Sequence, residues 1–236
     1  MAWTEDPWLG FDTETTGVDV GEDRLVTAAL VLRRGGADED VHDVEHTWLA
    51  DPGVPIPEAA TNVHGISTRQ ARDNGRPIVE VLDEVASTLV DHWRLGHPVV
   101  AFNAVYDLTL VDNELRRHGV GTFSERLGSQ PAPVIDPLVL DRGLDRYRKG
   151  KKTLAAMAPV YGVTLSEDAH TAEVDVAMTL DVLAAMARRH PEIGAMSAPE
   201  LHAWQVTQHR ALAENFEQWL RSKGRDAHIS RAWPID

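Results

Sequence analysis

The sequence predicts an α/β fold, a mixed sheet flanked by helices with a helical carboxy-terminal extension, and three observations carry that prediction. Three apolar, β-branched runs stand close together near the start, joined by short links rich in turn residues. From residue 76 onward, stretches with a helical apolar period alternate with short apolar strands. After residue 193 only a helical pattern remains. A meander followed by helix–strand alternation is the order of a mixed sheet with helices on its faces.

Each element follows from its residues. "WLGFDTET", "DRLVTAALVLRR" and "DVEHTWLAD" read as strands separated by "TGVDVGED" and "GGADED". Ile78, Val81, Leu82, Val85, Leu89 and Val90 recur at a helical period, and "HPVVAFN" is a short apolar strand. "AVYDLTLVDNELRRHG" reads as a helix that ends on a basic turn with Gly119 at its stop. "PVIDP" is a strand, Pro137 to Tyr147 and Thr153 to Tyr161 read as helices, and a long helix runs from near Thr171 to Arg189. Ser197 and Glu200 have capping-box spacing ahead of an apolar stripe of Leu201, Trp204, Leu212, Phe216, Trp219 and Leu220. We expect that helix to dock through its stripe, or else to offer it to a partner. The expected division is residues 1–192 for the main domain and 193–236 for the extension.

With 236 residues and 43% hydrophobic content, the chain can bury one sizeable core. It has no cysteine, which excludes disulfides and thiolate chemistry and fits a reducing compartment. The amino terminus lacks a basic start and an apolar signal core, and the longest apolar run, "LVTAALVL", is too short to cross a bilayer. A soluble, cytoplasmic protein with no membrane partner is the expectation. A net charge of -14 opposes a bulk electrostatic grip on nucleic acid. Positive charge is concentrated instead in "RGLDRYRKGKK", where Arg142, Arg146, Arg148, Lys149, Lys151 and Lys152 face only Asp145. Such a run is ordinarily a solvated loop.

Chemistry is suggested by acids at the ends of elements. Asp12 and Glu14 lie two apart on a strand and so point the same way. Crowded carboxylates repel unless a cation sits between them, and hard divalent cations favour such oxygen ligands. Asn103 and Asp107, spaced i, i+4, share one face of the helix that leaves "VVAF", although alone they read equally well as a cap and a surface acid. Asp175 stands between Val174 and Val176, an awkward place for a charge without a partner, and His170 precedes it from the adjoining loop. His42, Glu45 and His46 in "HDVEH" read as an exposed strand in preference to a second metal cluster.

Taken in order, "FDTETTG", "FNAVYD" and "HTAEVD" resemble the three motifs of the DEDDh 3′–5′ exonucleases, a family that includes the proofreading epsilon subunit of bacterial replicative polymerases, ribonuclease T and oligoribonuclease. "NVHGIS" is similar to a further family segment that contacts the terminal nucleotide. The resemblance implies a ribonuclease-H-like fold with a five-stranded mixed sheet. It implies that Asp12, Glu14, Asp107 and Asp175 hold two divalent cations, Mg²⁺ or Mn²⁺, and that His170 is the general base. Thr13, Thr15, His64, Phe102 and Asn103 are the expected substrate contacts. Phe102 replaces a frequent His and Tyr106 a frequent Phe, which leaves terminal-base preference open.

The expected activity is release of nucleoside 5′-monophosphates from single-stranded 3′ ends, DNA in preference to RNA. The acidic surface implies low processivity and a possible polymerase or other protein partner. An exoribonuclease acting on short RNA or RNA ends is the alternative, and a non-catalytic binding subunit a more distant one.

Overall fold

Alternation along the first strand sets the layers of the molecule, which is described from a computed structural model covering residues 2–34, 42–165 and 172–236. In β1 (Trp8–Thr15), Leu9 and Phe11 enter one apolar cluster and Trp8 enters another, because successive strand side chains face opposite ways. β2 (Leu25–Arg34) divides likewise, Ala28 and Leu30 to the first cluster, Ala29 and Val31 to the second. β1 pairs antiparallel with β2, and β2 with β3 (His42–Asp51), so the expected meander is present. After α1 (Glu58–His64) and α2 (Thr68–Asn74) the chain adds β4 (Arg76–Pro77), α3 (Ile78–Arg94), β5 (Val99–Val100) and α4 (Ala104–Arg117). It continues through α5 (Phe123–Leu127), β6 (Val134–Ile135), α6 (Pro137–Leu144), α7 (Leu154–Met157), α8 (Ala172–Arg189), α9 (Pro191–Gly194) and α10 (Ala198–Ser222).

The sheet order is β4-β3-β2-β1-β5-β6. Five expected strands are present, and the count is corrected to six by β4, a two-residue strand parallel to the end of β3. Arg76–Pro77 carries no apolar pattern that could have revealed it, and a proline is tolerated there because β4 is an edge. α3 and α4 cover the first face through Val81, Val85, Leu89, Leu108 and Val111, while α6 and α8 cover the second through Leu140, Val176, Leu180 and Leu183. The helix expected over Pro137–Tyr147 stops at Leu144, and that over Thr153–Tyr161 is one α turn followed by a 3₁₀ turn at Ala158–Tyr161. No described helix is long and apolar enough to cross a membrane.

Gly10 lets α8 lie directly on β1. A Cβ there would stand 2.4 Å from Val176 Cγ1 and 3.1 Å from Leu180 Cδ1. Gly10→Ala should therefore push α8 off the sheet, lowering stability by about 1–3 kcal/mol. Denaturant unfolding checks this, and an unchanged midpoint would refute the close-contact argument.

α10 carries the predicted capping box, with Ser197 N–H donating to Glu200 Oε2 at 2.8 Å and Glu200 N–H to Ser197 Oγ at 3.4 Å. Its Gln205 docks against the last strand: Nε2 donates to the Val134 carbonyl at 3.1 Å and Oε1 accepts the Asp136 N–H at 2.8 Å. Trp204 lies over Gly143, where a Cβ would come within 2.5 Å of the indole ring. The stripe does not pack along its whole length, however. Phe216 and Trp219 are 49% and 54% exposed. The buried line is Ala213, Glu217 and Leu220, and the terminal segment runs against it, with the Ile229 N–H donating to Glu217 Oε2 at 3.0 Å. That leaves the neighbouring line in solvent.

Candidate active site

Three elements bring acids to one end of the sheet. The period of β1 puts Asp12 and Glu14 on the same side as Gly10, the side on which α8 lies. Because α8 rests on Gly10 through Val176, the adjoining Asp175 in its first turn comes within electrostatic range of both Asp12 and Glu14. Asp107 arrives from the first turn of α4 and is buried. Its Oδ1 accepts two hydrogen bonds from Thr13, from N–H at 3.1 Å and from the hydroxyl at 2.6 Å.

The electrostatics follow from that convergence. Asp12 is held well above the usual carboxylate range, first by burial and then by Asp107, Glu14 and Asp175. Burial and Asp175 push Glu14 up to about 7. Burial also pushes Asp107 up to about 7, although the Thr13 hydrogen bonds oppose it. Among the described residues no three His, Asp or Glu side chains form a ready-made cage for a metal ion. The donor set nevertheless suits hard divalent cations, which keep several waters and complete their shells from a phosphate substrate. Four mutually repelling carboxyl groups are also the arrangement that a cation would relieve.

Thr13 and Thr15, two of the expected substrate contacts, both make hydrogen bonds within the protein. Both the N–H and the hydroxyl of Thr13 donate to Asp107. The Thr15 and Tyr106 hydroxyls meet at 2.7 Å over the Gly17 carbonyl, each 2.6 Å from it. Tyr106 thus has a local reason to carry a phenol where phenylalanine would supply no hydroxyl. His64, the last residue of α1, accepts the Ile66 N–H on Nδ1 at 3.1 Å. The proton of its neutral ring therefore sits on Nε2, which is buried and meets no hydrogen-bond partner among the described residues. Burial lowers the His64 pKa, with the Thr15 backbone offsetting part of the effect. Glu14, Trp48, Leu49, His64, Ile66 and Glu173 line a cleft of ≈ 270 Å³ beside the acids.

Asn103 is exposed at the start of α4 and makes no side-chain cap; its backbone is left-handed, with φ 64°. Phe102 is half-buried against the second apolar cluster. Asp136, which the motifs do not single out, secures this turn: Oδ1 accepts the Asn103 N–H and Oδ2 the Ala104 N–H, both at 3.0 Å. Oδ1 also caps α6 through the Leu138 N–H at 2.8 Å. Burial pushes its pKa up to about 6 against those hydrogen bonds. An Asp before Pro137 is a helix-start signal and is the clue that the sequence offers. His170 lies outside the described residues. In "HDVEH", Glu45 is exposed and His46 packs on Trp48 with ring centroids 3.9 Å apart.

Comparison with known proteins shows the family and the fold. The RNase_T family, described as exonuclease, matches residues 9–183. DNA polymerase III PolC-type of Lacticaseibacillus paracasei is 29% identical over 190 residues, spanning 80% of this chain and 12% of that protein. The exonuclease CP81 of Escherichia phage 186 is 28% identical over 190 residues, 79% of this chain and 91% of that protein. Among solved structures, E. coli exonuclease I in complex with a dT13 oligonucleotide superposes with a TM-score of 0.63 at 19% identity, covering 80% of this chain and 42% of that one. A zinc-bound complex of E. coli exonuclease I with single-stranded DNA gives 0.67 at 17% identity, covering 92% and 45%. The chain thus spans about an eighth of the polymerases and less than half of the exonuclease I chains that it matches.

Proposed function

The chain belongs to the RNase_T exonuclease family, and we propose that it is a divalent-cation-dependent 3′ to 5′ exonuclease that releases nucleoside 5′-monophosphates from single-stranded ends, DNA in preference to RNA. The observation that carries this reading is the convergence of Asp12, Glu14, Asp107 and Asp175, whose mutual repulsion and burial raise the pKa of Asp12. Asp12, Glu14 and Asp175 would hold one cation, and Asp12 and Asp107 a second. Bound there, two divalent ions supply charge stabilisation for an in-line phosphodiester displacement and lower the pKa of the attacking water.

The chain's own groups do the rest. Thr13 fixes the rotamer of Asp107, so that carboxylate is pre-aimed and does not have to be ordered when substrate arrives. Thr15 and Tyr106 brace the turn at Gly17 that follows the acids. His64 offers an Nε2–H donor toward the sugar or phosphate of the terminal nucleotide. Phe102 offers a face to a base, since stacking tolerates any sequence. His170 acts as the general base, a role typically worth about 10²- to 10⁴-fold. A free imidazole ordinarily titrates near neutrality, which is why histidine is a common acceptor for the proton of an attacking water. We further propose residues 1–192 as the catalytic domain, with 193–236 an extension docked on it through Trp204 and Gln205. A cytoplasmic location and a replication or repair setting belong to the same proposal. The preference for DNA leans on relatives named as DNA polymerases.

The test is digestion of 5′-labelled single- and double-stranded DNA and RNA with Mg²⁺, with Mn²⁺ and with chelator. We expect ladders that shorten from the 3′ end of single-stranded DNA only when a cation is present. Faster shortening of RNA would replace DNA with RNA as the substrate, and binding without shortening would overturn the enzyme.

A further inference from the structure

We propose that the cleft between α6, the basic loop after it and α10 is a second contact for the single-stranded substrate, gripping the strand on the 5′ side of the end being cut. The inference rests on the exonuclease reading and adds to it a strand-binding surface outside the acidic site. The cleft, of ≈ 340 Å³, is lined by Arg142, Arg146, Lys152, His209, Leu212 and Phe216 among others. It therefore combines cations with apolar and aromatic surface.

The cations there are left over from the protein's own pairing. Buried Asp141 anchors the loop, accepting from Arg148 Nε at 2.8 Å and Nη2 at 3.0 Å, from Lys152 Nζ at 2.6 Å and from the Tyr161 hydroxyl at 3.0 Å. Arg142, Arg146, Lys149 and Lys151 are exposed and form no ion pair among the described residues, in a chain with 37 acidic and 23 basic side chains. Such a surplus is anomalous where acids are so abundant. Desolvated repulsion is not its cause, since these groups face water. It creates a local positive field on a chain whose overall charge repels polyanions.

Beside it stand flat aromatic surfaces without internal cover. Phe216 and Trp219 are stacked, with centroids 5.9 Å apart and planes 13° from parallel, and both are about half exposed. Tyr147 is 85% exposed, with the Arg146 guanidinium 5.9 Å from its ring centre. Spaced cations for phosphates next to open rings for bases are the elements of a sequence-tolerant single-strand site. The position is also suitable. Arg142 lies six residues beyond Asp136 on α6, about 9 Å by the helical rise, and Asp136 holds the turn that begins the Asp107 helix. A strand with its 3′ end at the acids reaches this surface within a few nucleotides.

Two variants test it, the double charge reversal Arg142→Glu/Arg146→Glu and Phe216→Ala, all at exposed positions outside the catalytic set. Steady-state kinetics compare a DNA strand of about 20 nucleotides, longer than typical single-strand site sizes, with a trinucleotide. For the long strand we expect KM to rise about tenfold in the double variant and severalfold in Phe216→Ala, with kcat unchanged; trinucleotide turnover should stay at the wild-type level. The slope of log affinity against log salt should fall by roughly 1.4, because two phosphates of the strand would no longer be neutralised. Equal losses on long and short strands, or an unchanged KM on the long strand, would overturn the surface, including the case in which its occupant is an acidic protein segment. Failure of the wild type on both strands would instead indict the exonuclease reading, and fluorescence anisotropy of a labelled strand would then still test the surface: loss of binding in the variants supports it, and unchanged binding overturns it.

Discussion

Asp12→Asn is expected to abolish exonuclease action, a fall of about 10³-fold or more, while leaving the protein folded. The ionisation of Asp12 feels all three of its companions, Asp107, Glu14 and Asp175. A neutral amide of nearly the same shape removes one charge from the group that would hold both cations. Charge stabilisation by a bound metal contributes several kcal/mol to a transition state, and about 4 kcal/mol corresponds to a factor of 10³. Stability should move the other way. Because burial and repulsion disfavour the Asp12 carboxylate, its removal relieves strain in the cation-free protein. A 5′-labelled ladder assay and a melting curve in chelator check both halves. Undiminished cutting by the variant would remove Asp12 from the centre of the site.

Without divalent cations, stability should fall as pH rises from about 4 to about 7. Glu14 and Asp107 are pushed up to about 7 and Asp136 to about 6, all by burial first, whereas in the unfolded chain they titrate near ordinary carboxylate values. Between those limits the folded state binds more protons than the unfolded state, so the free energy of unfolding declines with pH. The stabilisation is complete below the unfolded values and is lost as pH passes through the folded ones. The expected loss is on the order of a few kcal/mol, and each kcal/mol moves the melting temperature of a chain of this length by about 2–4 °C. Mg²⁺ or Mn²⁺ should reverse it, with a small rise in melting temperature at pH 5 and a large one at pH 8, because protons and cations compete for the same oxygens. A cation-induced rise of the same size at both pH values would contradict the assignment of these acids.

Much of this site is written in local pattern. Strand period alone puts Asp12 and Glu14 side by side, and a charge flanked by Val174 and Val176 marks Asp175 as needing a partner. The interactions that aim those groups are not local. Thr13 and Asp107 are separated by 94 positions, and nothing in either neighbourhood announces that the threonine's donors are already taken. Gly10 reads as an ordinary strand residue until α8 is laid across it. The terminal helix shows the limit most plainly. Its period correctly predicts an apolar stripe, but a period cannot say which line of that stripe the final segment will cover, and Phe216 and Trp219 stay outside.

The docking of α10 has a further effect at the margin of the sheet. The Val134 N–H goes to His202 Nδ1 at 3.1 Å, while Gln205 takes the Val134 carbonyl and the Asp136 N–H. At the opposite margin β4 is only two residues long and ends in Pro77, which has no N–H to give. The β6 flank therefore offers a foreign strand no row of open hydrogen-bonding groups, whereas β4 pairs only with Ala50 and Asp51 and leaves the rest of β3 as an outer edge without a strand partner among the described residues. Edge-to-edge association, of the kind that seeds aggregates, is thus blocked on one side of the sheet and limited on the other to β3.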